Sequence, residues 1–281
     1  KADIAGEVLF IFQPAEEGAP DGETGGAEQM LAEGIFKQFK PQAVFGMHVW
    51  SALNAGQIGY RSGPAMAAVD SFKIVVQGKQ THGAKPWAGI DPIVTSAELV
   101  TATQTIVARK MNLTEQPAVL SFGAIKGGIR SNIIPDSVEL IGTIRTFDED
   151  MRQGLFTDFR TIAEHVTAAH GAKANAQIPF GPSYPKLVND PELTARMLPS
   201  LKKIAGTGVV EMDLLTVSED FAFFSNEVPG FYFFVGVTPR GQDAEAAPSN
   251  HSPQFFLDES ALPLATRAML QVSLDYLAGT P

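Results

Sequence analysis

The sequence predicts an α/β protein in two parts, a domain on a mostly parallel central sheet interrupted by an inserted α+β module. Two textures carry this reading. Towards both ends, continuous apolar runs such as Val8–Phe12 and Phe231–Val235 are bounded by Gly or Pro. Such runs read as strands buried on both faces, as in a parallel sheet covered by helices. Between them the strands alternate apolar and polar residues, the pattern of a sheet with one open face. The expected boundaries are 1–64 and 181–281 for the outer domain and 65–180 for the insertion.

The first element is Val8-Leu9-Phe10-Ile11-Phe12, expected as a doubly buried strand that ends at Pro14. A loop rich in Gly, Pro and acids runs from Gly18 to Gly26. Ala27, Met30 and Leu31 then recur at helical spacing, with Gly34 as the stop. A second apolar strand is expected over Ala43–Met47, ending on His48. Strand, helix, strand is the unit of a parallel sheet. If these two strands are neighbours, His48 emerges at the same sheet edge as Glu16 and Glu17. In open α/β sheets that edge is where ligands bind.

The insertion begins where the texture changes, near Gly63-Pro64. Phe72, Ile74 and Val76 alternate with Ser71, Lys73 and Val75, a half-buried strand. Asp91-Pro92 opens a helix, Asp as N-cap and Pro at the first helical position, with Ile93, Ala97, Val100 and Val107 as its apolar face. Strands are expected at about 118–125 and 138–147. A second helix carries Met151, Leu155, Phe159, Ile162 and Val166, and a last strand covers 174–178. The order β-α-β-β-α-β is that of a ferredoxin-like module. The outer texture then resumes. Asn189-Asp190-Pro191 caps a helix with Leu193, Met197, Leu201 and Ile204 inward, and Phe231–Val235 is a buried strand. After a loop over 236–250, a final helix from about Asp258 presents Ala261, Ala265, Ala268 and Val272.

At 281 residues the chain has room for two domains. Its formal charge of −10 argues against nucleic acid and against anionic membrane surfaces as partners. No apolar run approaches the roughly 18 residues of a membrane span. With no cysteines, disulfides and thiolate zinc sites within the chain are excluded. The chain starts on Lys1-Ala2-Asp3-Ile4, with neither Met nor signal peptide, and enters a buried-type strand at once. A fragment is expected to begin so, and cytoplasmic and exported locations both stay open.

Chemistry concentrates in Glu16-Glu17 and in three of the five histidines. An isolated Glu-Glu pair ordinarily just solvates a loop. His165 and His170 fit solvated helix positions and receive no role. His48, His82 and His251 lie instead at strand ends or in loops beside small residues. Glutamate and histidine are ordinary ligands of zinc and similar divalent ions, and hydrolysis needs a further carboxylate to deprotonate water. Glu17, His48 and His251 are thus candidate ligands and Glu16 the candidate base, on spacing too wide to be diagnostic alone.

Pro14-Ala15-Glu16-Glu17-Gly18, Gly46-Met47-His48, His82-Gly83-Ala84, Ser131-Asn132-Ile133-Ile134-Pro135, Gly142-Thr143-Ile144-Arg145, Ser218-Glu219-Asp220-Phe221 and Asn250-His251-Ser252-Pro253 occur in that order. Together they resemble the M20 metallopeptidase family in its amidohydrolase branch, with its aminoacylases, hippurate hydrolases, auxin-conjugate hydrolases and thermostable carboxypeptidases. The resemblance covers essentially the whole chain. It implies a zinc-peptidase-like catalytic domain whose insertion is a lid that also dimerises, so a homodimer is expected. It implies two divalent ions (Zn, Mn, Co or Ni) in the complete protein, with Glu17, His48 and His251 as ligands. Glu16 matches the general base, which later delivers its proton to the leaving amine. His82 matches the residue that hydrogen-bonds the oxyanion, often across the dimer. Asn132 and Arg145 match positions that hold the substrate carboxylate, a task suited to the planar guanidinium. Glu219 matches a recurrent acid without an assigned task.

Two departures stand out. The family's Cys-x-His-Asp motif ahead of the glutamate pair is missing, so the binuclear site is expected to be incomplete within this chain. Trp87, in Lys85-Pro86-Trp87, stands where many relatives have His, which bears on substrate preference. The implied reaction is metal-dependent hydrolysis of the amide of an N-acyl amino acid or short peptide. The alternatives are a carboxypeptidase acting on peptides and a non-catalytic conjugate-binding or dimerisation module. Retention of Glu16, which a binder does not need, weighs against the latter.

Overall fold

Along the chain, a computed structural model describes residues 4–20 and 25–279. It opens with helices α1 (Gly26–Ala32) and α2 (Ile35–Phe39), then strands β1 (Val44–Asn54), β2 (Ile58–Tyr60) and β3 (Gly63–Met66). Next come β4 (Ala68–Gln77), β5 (Thr81–His82), α3 (Pro92–Thr105), β6 (Ala118–Gly127), β7 (Ile133–Ile134), β8 (Ser137–Thr146), α4 (Glu149–Ala169) and β9 (Lys173–Gln177). The remainder holds β10 (Leu187–Asn189), α5 (Pro191–Ala205), β11 (Val209–Glu211), α6 (Phe221–Glu227), β12 (Gly230–Thr238) and α7 (Ala261–Leu277). The chain divides into two units. Lys1–Met66, Leu187–Leu215 and Glu219–Pro281 form the first, and Ala67–Lys186 with Thr216–Ser218 form the second.

In the first unit the strands run in the order β1-β12-β2-β11. β1 lies parallel to β12 and β11 parallel to β2, while β12 and β2 are antiparallel. All nine residues of β12 are buried. Successive strand side chains point to opposite faces, so this requires a cover on each side. Phe231, Phe233 and Val235 pack with Leu193, Met197 and Leu201 of α5 and with Ala261, Ala265, Ala268 and Val272 of α7. Tyr232 and Phe234 pack on the other face with Ala27 of α1 and with Phe221, Ala222 and Phe224 of α6. The unbroken apolar run at 231–235 therefore reflects a strand with helices on both faces.

The expected strand at Val8–Phe12 does not form. These residues join no ladder, and Val8, Phe10 and Phe12 are 45%, 74% and 86% exposed. A doubly buried strand needs a hydrogen-bonding neighbour and a layer on each face. Among the described strands β1 pairs with β12, and none pairs with residues 8–12, so His48 and the glutamate pair do not leave neighbouring strands. Ile11 alone of the run packs against the core. His48 also lies within its strand rather than at the end, because the β1–β12 ladder continues through His48↔Phe234 to Trp50↔Gly236.

The second unit is a four-stranded sheet in the order β6-β8-β4-β9, every neighbouring pair antiparallel. Phe72, Ile74 and Val76 of β4 are fully buried beneath α3 and α4, while Ser71, Lys73 and Val75 are half-buried. The face of α3 differs from expectation. Pro92, Thr95, Ser96, Leu99 and Thr103 are buried, whereas Ile93 and Ala97 are exposed. Two of the buried hydroxyls, on Thr95 and Thr103, are satisfied locally by the helix. Thr95 Oγ1 donates to Asp91 O at 2.7 Å and Thr103 Oγ1 to Leu99 O at 3.0 Å. Asp91 caps α3 as expected, accepting from the Ile93 and Val94 amides.

One ion pair ties this sheet to α4. Asp70 on β4 is fully buried and accepts from Arg152 Nε at 2.7 Å and Nη2 at 2.6 Å. Hydrogen bonding to Asp70 pushes the guanidinium pKa above its usual value, although burial opposes this. Removing one partner of a buried pair strands the other charge. Asp70→Ala should therefore lower stability by about 3–5 kcal/mol in urea unfolding, and an unchanged midpoint would show the pair to be dispensable.

Candidate metal and carboxylate site

A tight turn sorts the glutamate pair. Gly18 N donates to Ala15 O at 3.2 Å and Gly26 N to Pro14 O at 2.8 Å. Ala15 has φ 58°, a left-handed value unusual for a residue with a Cβ. The turn leaves Glu16 half-buried and Glu17 exposed. Glu16 meets two acids that precede α6, Glu219 and Asp220, with one oxygen of each of the three within 4.8 Å of the others.

Both partners are held firmly. Glu219 is 4% exposed; its Oε2 accepts from the Tyr232 hydroxyl at 2.6 Å and its Oε1 from Phe221 N at 3.1 Å. Asp220 is 2% exposed and accepts from Gln13 Nε2 at 2.6 Å and from Ala27 N at 2.7 Å. These bonds tie the loop bearing Glu16 and the start of α1 to the start of α6. Burial is the main force on Glu16, followed by the charges of Glu219, Glu17 and Asp220 and a hydrogen bond with Glu219. Together they raise its pKa to about 8. Asp220 is also raised by burial, against the pull of its Ala27 and Gln13 bonds. Burial and then Glu219 push the Tyr232 hydroxyl well above its usual value.

Two of the three candidate ligands stand close. His251 Nε2 lies 3.7 Å from Glu17 Oε1, both side chains exposed. His48 Nδ1 bonds the carbonyl of Val49 at 2.5 Å. A carbonyl only accepts, so Nδ1 carries the hydrogen and Nε2 keeps its lone pair. The same Val49 carbonyl accepts from Asn250 Nδ2 at 2.7 Å, and Asn250 Oδ1 accepts from Ser51 N at 3.2 Å. Asn250 thereby clamps the loop of His251 to β1 next to His48. Among the described residues, Glu17, His48 and His251 do not form one compact triad; the triad within 4.8 Å is Glu16, Glu219 and Asp220.

The donors nevertheless fit a divalent ion by chemistry. Glu17 offers a carboxylate oxygen, and the two imidazoles offer nitrogens. The acid triad fits less well, because Glu219 and Asp220 have both oxygens engaged by N–H or O–H donors.

The second unit brings His82 and Asn132 together. β5 and β7 pair through His82↔Ile133, and Gly83 N donates to Asn132 O at 2.8 Å. His82 Nδ1 accepts from Ala84 N at 3.0 Å, which leaves Nε2 as the ring donor. His82 and Asn132 are exposed. Arg145 lies on β8 opposite Val69 and Val119, half-buried, with Nη1 3.4 Å from Ser218 Oγ. Burial pushes its guanidinium pKa down, with Asp70 pulling partly back. Among the described residues no carboxylate lies within 4.0 Å of Arg145.

Asp220, Tyr232 and Asn250 escape the sequence reading, and Glu219 gains a place there without a role. Asp220 and Asn250 sit inside recognisable motifs beside residues singled out. Tyr232 is hidden in an apolar run, where its hydroxyl is the one polar signal.

Gly26 shows how tightly the cluster is built. It has φ +73°, and a Cβ there would lie 2.5 Å from Asp220 Oδ2. A left-handed backbone alone costs a residue with a Cβ about 1–2 kcal/mol. Gly26→Ala should exceed that, because Asp220 must also move, and thermal unfolding reads the loss. A neutral Gly26→Ala would mean that the loop is free of α6.

Comparison with known proteins adds to this geometry. The pattern described as Peptidase family M20/M25/M40 matches residues 1–275. Thermostable carboxypeptidase 2 of Saccharolobus solfataricus is 38% identical over 273 residues, which are 97% of this chain and 67% of that protein. The N-acetyl-L-cysteine deacetylase of Bacillus subtilis is 38% identical over 259 residues, 92% of this chain and 58% of the relative. Among solved structures, a putative aminohydrolase from methicillin-resistant Staphylococcus aureus superposes with a TM-score of 0.82 at 31% identity, covering 94% of this chain and 65% of that one. The Bacillus subtilis YXEP protein, described as a dinuclear metal binding peptidase from the M20 family, superposes with a TM-score of 0.71 at 31% identity, covering 95% and 64%. The chain thus spans about two thirds of the length of these relatives, or less.

Proposed function

The chain belongs to peptidase family M20/M25/M40, and from this premise we propose that it carries the base and part of the metal site of an amide hydrolase. The substrates are N-acyl amino acids or short peptides. The observation that carries the proposal is the division of labour within one dipeptide. Glu16 turns into a cluster of buried acids, while Glu17 stays exposed 3.7 Å from His251.

Two divalent ions are proposed by analogy with the dinuclear Bacillus subtilis relative, and Glu17, His48 and His251 would supply ligands from this chain. Bound divalent ions supply Lewis acidity, which polarises the amide carbonyl and acidifies water. Glu16 takes a proton from the attacking water at a carboxylate oxygen and passes it to the leaving nitrogen as the C–N bond breaks. His82 donates from Nε2–H to the carbonyl oxygen as it gains charge. Arg145, which among the described residues has no carboxylate within 4.0 Å, binds the substrate carboxylate through its planar fork, with Asn132 as a further donor.

The order β6-β8-β4-β9 with two helices on one face supports reading the second unit as a ferredoxin-like insertion, the lid and dimerisation element of a homodimer. Relatives include both carboxypeptidases and deacetylases, so a panel of N-acyl amino acids and dipeptides separates the two chemistries.

Glu16→Gln should reduce kcat by about 10²–10⁴-fold while metal content, read by elemental analysis, stays near that of the unaltered protein. Loss of metal with turnover retained would sink the assignment of the base. Arg145→Ala should raise KM for substrates with a free carboxylate about tenfold or more, matching a charge-assisted hydrogen bond of about 1.5–3 kcal/mol. Methyl esters should be spared, and equal effects on acids and esters would remove Arg145 from carboxylate binding.

A further inference from the structure

Behind Glu16 stand two groups that the proposed reaction does not use. We infer that Glu219 and Tyr232 are positioning residues: the Tyr232 hydroxyl fixes the Glu219 carboxylate, and Glu219 fixes the rotamer of the Glu16 carboxyl. The inference rests on Glu16 being the base.

The relay begins from a phenol that cannot wander. Tyr232 is the third of the nine residues of β12, and Asn189, itself fully buried, grips its backbone. Asn189 Oδ1 accepts from Tyr232 N at 2.6 Å, and Nδ2 donates to Tyr232 O at 2.8 Å. The ring stands opposite Gly46 of β1, where a Cβ would sit 2.6 Å from Tyr232 Cδ2, so only glycine leaves room. Phe221 and Phe234 flank it, with ring centroids 4.9 and 5.6 Å away. The hydroxyl is thus delivered to one place, 2.6 Å from Glu219 Oε2.

Glu219 is as constrained as its donor. Phe221 N holds Oε1 and Tyr232 holds Oε2, so the carboxylate cannot rotate without losing one bond. Further hydrogen bonds link it to Asp220 and to Glu16, one oxygen of each lying within 4.8 Å; the Glu16 bond is made when Glu16 carries its proton. Among the described residues no Lys, Arg or His lies within 4.0 Å of Glu219. A buried carboxylate without a cation works against folding stability. A merely structural side chain here could be apolar. Retaining the acid is accounted for if its oxygens hold the working carboxyl in place, since catalytic groups lose rate when their rotamer is loose.

The test uses Tyr232→Phe, which keeps the ring and deletes the donor, and Glu219→Gln beside Glu219→Ala. Tyr232→Phe should lower kcat about tenfold with KM within twofold and metal content unchanged. Glu219→Gln, which still offers a hydrogen-bonding group to Glu16, should retain more kcat than Glu219→Ala. Crystal structures should show one Glu16 rotamer in the unaltered protein and several in Tyr232→Phe. A lowered melting temperature with kcat and the Glu16 rotamer intact would make both residues structural and overturn the inference. If Tyr232→Phe does not fold, Glu219→Gln carries the same readouts. Should the unaltered protein hydrolyse nothing on the substrate panel, the proposed reaction fails, and the Glu16 rotamers alone decide the positioning claim.

Discussion

The first unit depends on a strand that has no free face. Nine consecutive buried residues make β12 the element around which α5 and α7 pack on one side and α1 and α6 on the other. A strand in that position allows almost no polar side chain, because each must find its partner inside the protein. Tyr232 and Thr238 are the exceptions: Thr238 Oγ1 finds the Ser51 carbonyl, and the Tyr232 hydroxyl finds Glu219. From there bonds run to the start of α6, and those of neighbouring Asp220 run to the start of α1 and the loop of Glu16. The apolar core and the acid cluster are in this sense joined: the core fixes the phenol, and the phenol holds the Glu219 carboxylate.

Grouping three carboxylates is electrostatically unfavourable, and the structure shows how it is sustained. Each buried acid accepts from neutral donors, an amide, a side-chain amide or a phenol, rather than from a cation. Such bonds offset part of the desolvation but leave a strongly negative locality. Glu16 bears the consequence in its raised pKa. A neighbouring cation would counter that field, so the cluster and the exposed Glu17–His251 pair make complementary demands. The acids favour positive charge nearby, and the pair offers ligands for it. In the second unit Asp70 follows the other rule, paired bidentately with Arg152 and removed from any such demand.

Much of the fold was legible because periodicity maps directly onto burial. The alternation at Phe72, Ile74 and Val76, the caps at Asp91 and Asp190, and the run at 231–235 all correspond to elements in the structure. Where the reading failed, composition was a poor proxy for environment. Val8–Phe12 has the apolarity of a buried strand, but apolarity cannot supply the neighbour that strand pairing requires. On α3 the buried face includes Thr95 and Thr103, because a helix can absorb their hydroxyls through its own carbonyls. In the site, residues with a diagnostic type stood out, Glu16, His48 and His251 among them. Tyr232 and Asn250 did not, since their importance lies in which atoms they touch.

The glutamate doublet shows how adjacent identical residues acquire different chemistry. As residue types Glu16 and Glu17 suit either task equally, and only the family resemblance assigns the proton to one and the metal to the other. Backbone geometry separates them: Ala15 in the left-handed region, with the Ala15–Gly18 turn, leaves one carboxyl half-buried and the other exposed. Burial and neighbouring negative charge then raise the affinity of Glu16 for a proton, the property of a group that must both accept and return one. Glu17 stays exposed, within 3.7 Å of an imidazole. A left-handed alanine is a local strain of order 1 kcal/mol or more. Here it separates two equal carboxylates, one turned into the acid cluster and the other exposed beside His251, and the hydrogen-bonded ends of α1 and α6 are what hold the turn in that shape.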